Sequence, residues 1–304
     1  CSDYLEGELK AAGFHSEPTL FDYLKSNYDE KGVQNAWAVI RPFLDKIRNG
    51  NYFRYLLLGL DYLFGIKEDD IFSEKWRKAS DKIRDYSQKQ KGQGTKLSSR
   101  MKILATILDA SLGPGVLPQI KNDEKRIVHI ARLDMFIHEE RGLSATMENY
   151  PTKDFGEWLH CFDKVFYQSI NAGAKGFKSG FAYNRRIEYS NPTKDSVARI
   201  FKNGLVKVSL QDKIIYQDFM MNRLCQLCEK ADVPLQIHTG IQAGIGNVLE
   251  NARPTLLTGL FQRFNDLRFD IFHGGYPWCF EAGLMAKYFP NVYINGCWLS
   301  HISP

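Results

Sequence analysis

Pro234-Leu235-Gln236-Ile237-His238-Thr239-Gly240 and Arg268-Phe269-Asp270-Ile271-Phe272-His273-Gly274-Gly275 are two short runs built alike. Each is apolar and β-type, each closes on a histidine, and each is broken at once by glycine. A run of this length bounded by glycine reads as a buried strand that delivers an imidazole to the mouth of a loop. Enzymes with barrels of parallel strands present metal ligands and acid/base groups this way, at the C-terminal strand ends.

Working outward, the same texture recurs from about residue 96 onward. Candidate strands span 102–108, 126–133, 174–178, 235–238, 269–273 and 292–295, with helical patterns at 153–171, 211–232, 255–265 and 278–288. Strands alternating with helices predict an α/β fold with a parallel sheet and crossover helices. Six strands at this spacing fit either most of a (β/α)8 barrel or a doubly wound sheet. Residues 1–92 differ: the 3.6-residue period predicts helices over 3–12, from Ser16 and Pro18 through Tyr28, over 34–48, 52–64 and 69–89, with Gly13 and Gly65 as stops. Lys91 to Thr95 reads as a loop. The chain has no internal repeat and no low-complexity tract.

Bulk properties bound the function. The 304 residues give ample room for one barrel or two ordinary domains. A net charge of +5 without a long Lys/Arg run argues against a nucleic-acid or membrane-surface partner. The absence of a signal-like segment and of an apolar stretch near membrane length predicts a protein without a membrane span, and the cysteine usage makes a reducing compartment, the cytoplasm, the expected one. Of six cysteines only Cys225 and Cys228 are close, in a helical stretch. They read as semi-buried helix thiols, with a redox or metal motif as the alternative. The first residue is Cys1, which predicts preceding residues outside this sequence or a lipidated terminus.

The chemistry gathers at the strand ends. Arg132 and Asp134 follow the second run, Lys178 ends the third, His238 the fourth and His273 the fifth. Singly, a strand-end histidine is a hydrogen-bonded core residue, a lysine is an ion-pair partner, and Asp134 is a helix N-cap. Together they fall at one face, because parallel strands place their C-termini side by side. Neutral imidazoles bind zinc-like divalent ions, and a second histidine can move protons near neutral pH. A buried Lys178 suits an electrophilic donor, a carbamylated ligand or a Schiff-base amine. Arg132, Tyr183 and Arg185 are candidates to hold a substrate carboxylate. Trp278 is a further candidate substrate contact, or only a cap of the helix after it. The segment Gly240 to Gly246 reads as a loop over the mouth.

Pro234 to Gly240, Phe272-His273-Gly274-Gly275-Tyr276-Pro277-Trp278, Phe289-Pro290-Asn291-Val292-Tyr293-Ile294-Asn295 and Gly176-Phe177-Lys178-Ser179-Gly180-Phe181-Ala182-Tyr183 followed by Arg185 resemble the amidohydrolase-2 branch of the amidohydrolase superfamily. The resemblance runs from about residue 100 to the end and is strong over 170–304. It implies a TIM-like (β/α)8 barrel over 96–304, comprising the family's strands two to seven. Residues 1–95 would be a helical insertion packed on it, in one structural domain. It implies a divalent ion, zinc foremost, with His238 and His273 as ligands and His273 and Lys178 as catalytic groups. The implied activity is metal-dependent hydrolysis of a small carboxylate-bearing substrate, in a protein that can form a homodimer. A uronate-isomerase-like sugar-acid isomerase, a related lyase or decarboxylase, and a non-catalytic binding module are the alternatives. The family's first-strand His-x-His pair and eighth-strand Asp have no counterpart here, so strands one and eight are expected outside this sequence.

Overall fold

The structure, a computed structural model, describes residues 2–15, 30–89, 102–110, 127–205, 208–244 and 246–302. The helix expected from Ser16 to Tyr28, the loop from Lys91 to Thr95 and Cys1 lie outside the described residues. The chain divides into two units, one of residues 1–97, 243–247 and 298–304, the other of residues 98–242 and 248–297.

The first unit is helical: α1 (Ser2–Ala11), α2 (Glu30–Ile47), α3 (Asn51–Phe64), α4 (Glu68–Phe72) and α5 (Trp76–Lys89), with a last short helix at Leu299–Ile302. Leu9, Phe14, Leu44, Ile47 and Phe53 form its core. Gly65 stops α3 in the left-handed region, its N–H bonding back to the Asp61 carbonyl and that of Ile66 to the Leu60 carbonyl, because glycine enters that region without steric cost. The single helix expected over 69–89 is instead two. Ser73 adopts extended backbone, and its hydroxyl bonds the Asp70 carbonyl and the Lys75 N–H. A serine that offers the backbone such local partners competes with the helical ladder.

The second unit carries the sheet: β1 (Thr106–Ala110), β2 (Ile127–Ala131), α6 (Leu143–Asn149), α7 (Phe155–Asn171), β3 (Phe177–Ser179), α8 (Lys194–Lys202), α9 (Leu210–Lys230), β4 (Leu235–His238), α10 (Thr258–Arg263), β5 (Phe269–Phe272), α11 (Cys279–Tyr288) and β6 (Val292–Ile294). All five pairings are parallel and the strands lie in chain order, β1 to β6. A doubly wound sheet reverses its order at a switch point, whereas a barrel winds one way. Sequential order therefore rules out the doubly wound alternative for these six strands. The first strand begins four residues and ends two residues later than expected, and the later end brings Asp109 into it, opposite Ile130 of β2.

Side chains alternate across each strand. Leu235, Ile237, Phe269 and Ile271 join Trp158, Phe166, Met220 and Phe261 in the core beneath the helices, and Phe166 stacks on Phe177 at 4.3 Å. The other face of the same strands carries Lys178, Gln236, His238, Asp270 and Phe272. Burying so many large apolar groups stabilises the unit by roughly 25 cal/mol per Å² removed from water. Cys225 and Cys228 sit in α9 and are fully buried free thiols, deeper than the semi-buried placement expected of them.

Candidate active site

Register brings the two histidines to one level. Residue 238 pairs with 272, so His273 is the first residue beyond that pair. His273, Gly274 and Gly275 all take positive φ, at 65°, 57° and 68°, and this left-handed turn folds the β5 end back beside β4. The glycines are required there: a Cβ on Gly275 would collide with Pro254, and one on Gly240 would lie 2.6 Å from the Gly275 carbonyl carbon. The imidazoles of His238 and His273 meet edge to face, with centroids 4.6 Å apart.

Backbone carbonyls set the tautomers. His238 Nε2 lies 2.9 Å from Ile241 O and His273 Nδ1 lies 3.0 Å from Cys297 O. A carbonyl only accepts, so each of these nitrogens carries the hydrogen and the other bears the lone pair. Burial, with the neighbouring imidazole and Lys178, takes His238 down to about 3. Burial, reinforced by Lys178 against the Cys297 bond, takes His273 down to about 4. Both rings are neutral at pH 7. The Tyr183 ring packs 4.6 Å from His238, with the Arg141 guanidinium 5.7 Å from the Tyr183 centroid.

Lys178 lies beside the pair, its ammonium 3.5 Å from the Phe272 ring centroid; that ring is 3.9 Å from His273. Asp109 holds the lysine at 3.2 Å and accepts both forks of Arg132, one at 2.8 Å. Burial pushes the Asp109 carboxyl up, but Arg132 and Lys178 outweigh it and hold it below the usual range. Burial likewise lowers Lys178, against the pull of Asp109. Asp134 is a site neighbour rather than a helix cap: its Oδ2 accepts the Gly180 N–H at 3.0 Å and lies 3.7 Å from Arg132. Burial raises it to about 6. A Cβ on Gly180 would sit 2.9 Å from Arg132 Nη1, which explains glycine after β3.

Lys178, His238, His273, Arg132 and Tyr183 thus gather around one point. Arg185 and Trp278 are engaged elsewhere. Arg185 pairs with buried Asp218 at 2.8 Å and bonds Gln217 and the Glu188 carbonyl. Trp278 precedes α11 with Arg253 over its ring at 5.7 Å. Sequence reasoning missed Asp109, although an acid closing the apolar run Thr106-Ile107-Leu108 is the same strand-end signal as Lys178 or His238. It also missed Arg141, whose role depends on Tyr183, 42 positions away, and left no local trace.

The imidazole pair suits two positions around a divalent ion: both rings are neutral, and each donates its other nitrogen to a carbonyl, the usual outer partner of a metal-binding histidine. Among the described residues no group of three or more His, Cys, Asp or Glu side chains converges to hold a metal. No helix among them is long and apolar enough to cross a membrane.

Comparison with known proteins extends this geometry. Protein fluG of Emericella nidulans is 29% identical over 133 residues, which cover 40% of this chain and 15% of fluG. The chain thus spans about a seventh of that relative's length. The uronate isomerase of Thermotoga maritima superposes with a TM-score of 0.67 at 14% identity, over 96% of this chain and 68% of that one. The glucuronate isomerase of Caulobacter crescentus does so with 0.63 at 16% identity, over 93% and 68%. At such identities these two likenesses speak for the fold alone. The family model described as Amidohydrolase matches residues 170–304, the stretch that carries β3 to β6, Lys178, His238 and His273. Over residues 170–304, then, the chain is similar to the amidohydrolase family.

Proposed function

We propose that this site hydrolyses a small carboxylate-bearing molecule with the help of a divalent ion, zinc foremost, held in part by His238 and His273. The observation that carries the reading is the pair of neutral imidazoles 4.6 Å apart at adjacent strand ends, with tautomers set by Ile241 O and Cys297 O. Bound there, the ion would supply a water acidified to a pKa of about 7.

The chain's own groups do the remaining work. Arg132, Arg141 and Lys178 stand among the carboxylates Asp109, Asp134 and Asp270, and these cations are the groups a substrate carboxylate would be drawn to. Burial strengthens that attraction, since charges interact more strongly away from water. Lys178 stands between the site and Asp109 and orients a substrate oxygen. With the ion on His238 alone of the pair, the neutral lone-pair nitrogen of His273 would instead take up a proton at one step and return it at the next.

Metal analysis of the protein tests this. Zinc, manganese or nickel is expected to copurify at about one ion per chain, with activity lost to a chelator and restored by the ion. Metal-free protein whose activity survives chelation overturns the reading. A second reading, sugar-acid isomerisation, draws on the two isomerase-like folds. It moves a hydrogen between adjacent carbons of a uronate and consumes no water, so incubation with uronates and detection of the keto sugar separates the two.

A further inference from the structure

His273 ends a line of polar atoms that starts one pleat down on its own strand. Gln236 and Asp270 face each other across β4 and β5, and Gln236 Nε2 donates to Asp270 Oδ2 at 2.6 Å. The same oxygen accepts from Asn295 Nδ2 at 3.1 Å. Asn295 follows β6 with its backbone held on both sides: its N–H donates to Ile271 O at 2.9 Å and its carbonyl accepts from Gly274 N at 2.8 Å. Its side-chain oxygen accepts the Cys297 N–H at 2.9 Å. The Cys297 carbonyl then accepts from His273 Nδ1 at 3.0 Å.

Each bond dictates the direction of the next. A carboxylate accepts and cannot donate, so Asn295 turns its NH2 toward Asp270 and its oxygen toward Cys297. That oxygen holds the Cys297 backbone where its carbonyl meets the imidazole. A carbonyl also only accepts, so His273 places its hydrogen on Nδ1. The lone pair is left on Nε2, the nitrogen needed for ligation or for taking a proton.

We propose that Asp270 is a positioning residue for His273: acting through Asn295 and the Cys297 backbone, it holds the imidazole in the Nδ1–H tautomer. Its functional consequence rests on the reading of His273 given above, but the tautomer exists without metal or substrate and is measured without either. The line ties the two histidine strands to β6: Asp270 contributes the acceptor, Gln236 reaches it from β4, and Asn295 carries it to β6.

The test is long-range proton–nitrogen correlation NMR of metal-free protein, with the His273 ring assigned by His273→Gln. Wild type is expected to show Nδ1 protonated and Nε2 bare. Asp270→Leu removes the acceptor and is expected to shift the tautomer ratio toward Nε2–H by about tenfold, the scale of one buried hydrogen bond. Gln236→Leu removes only the other partner of Asp270 and is expected to leave the ratio unchanged. If Asp270→Leu does not fold, Asn295→Ser breaks the same line one step later and is expected to shift the ratio likewise. An Nε2–H ring in wild type overturns the proposal. So does an unchanged ratio in the folded variant, or an equal shift in Gln236→Leu. A protein that binds no metal yet shows these tautomers overturns the metal reading and leaves this one standing.

Discussion

Asp109 answers two cations, and this makes its neighbours unequal in a testable way. It accepts two bonds from Arg132 and one from Lys178. Asp109→Ala leaves both cations without their carboxylate and is expected to cost about 3 kcal/mol, because removing one member of a buried ionic group strands the others. Lys178→Met leaves Asp109 with its forked Arg132 partner and removes a buried ammonium, so it is expected to cost about 1 kcal/mol or less. Urea unfolding of the two variants checks the order, and a larger loss for Lys178→Met would refute this account. Activity is expected to fall in the reverse order, since Lys178 and not Asp109 faces the histidines.

At the scale of elements, the loops after β4 and β5 are built around close backbone approach. Gly240 has φ of 65°, donates its N–H to Ala252 O at 2.8 Å and leaves no room for a Cβ against the Gly275–Tyr276 peptide. Gly240→Ala is expected to destabilise by about 2 kcal/mol or more and to separate the two histidine loops. A thermal melt within a degree or so of wild type would contradict this. The helix α9 makes the opposite kind of prediction. Cys225 and Cys228 are fully buried, and burial pushes both thiols far up. They are expected to stay unreactive toward a thiol reagent in the native protein and to titrate only on unfolding. Fast native labelling of either, read by peptide mass, would show that α9 is not seated as described.

For the molecule as a whole, the neutral histidines link stability to pH. In metal-free protein His238 titrates near 3 and His273 near 4, both below the ordinary histidine range near 6.5. The unfolded chain therefore binds protons that the folded one refuses, and stability present above pH 6.5 is lost as pH falls toward these values. Asp134 opposes this: raised to about 6, it takes up its proton in the folded state first, which returns part of the loss below that pH. Two groups against one leave a net loss of about 2–3 kcal/mol between pH 7 and 5. Denaturant midpoints measured across that range check it. Because the opposing share of Asp134 stays, the drop is expected to fall below about 1 kcal/mol in His238→Gln, and a flat profile in the wild type would refute the burial of the pair.

The sequence by itself determined what depends on neighbours in the chain. Alternating apolar residues closed by His and Gly marked β4 and β5 and placed His238 and His273 at their ends, because a strand's faces and its stop are local properties. Helix–strand alternation determined the class of fold, and the resemblance over 170–304 coincides with the matched family segment. Only the tertiary structure decided the rest. Strand order separated a singly wound sheet from a doubly wound one. Pairing with β2 set the limits of β1 and carried Asp109 to Lys178, 69 positions away. The same long-range pairing drew Arg185 off to Asp218 and threaded Asp270 through Asn295 to His273. Register and hydrogen-bond direction are set between segments distant in sequence, so no local pattern records them.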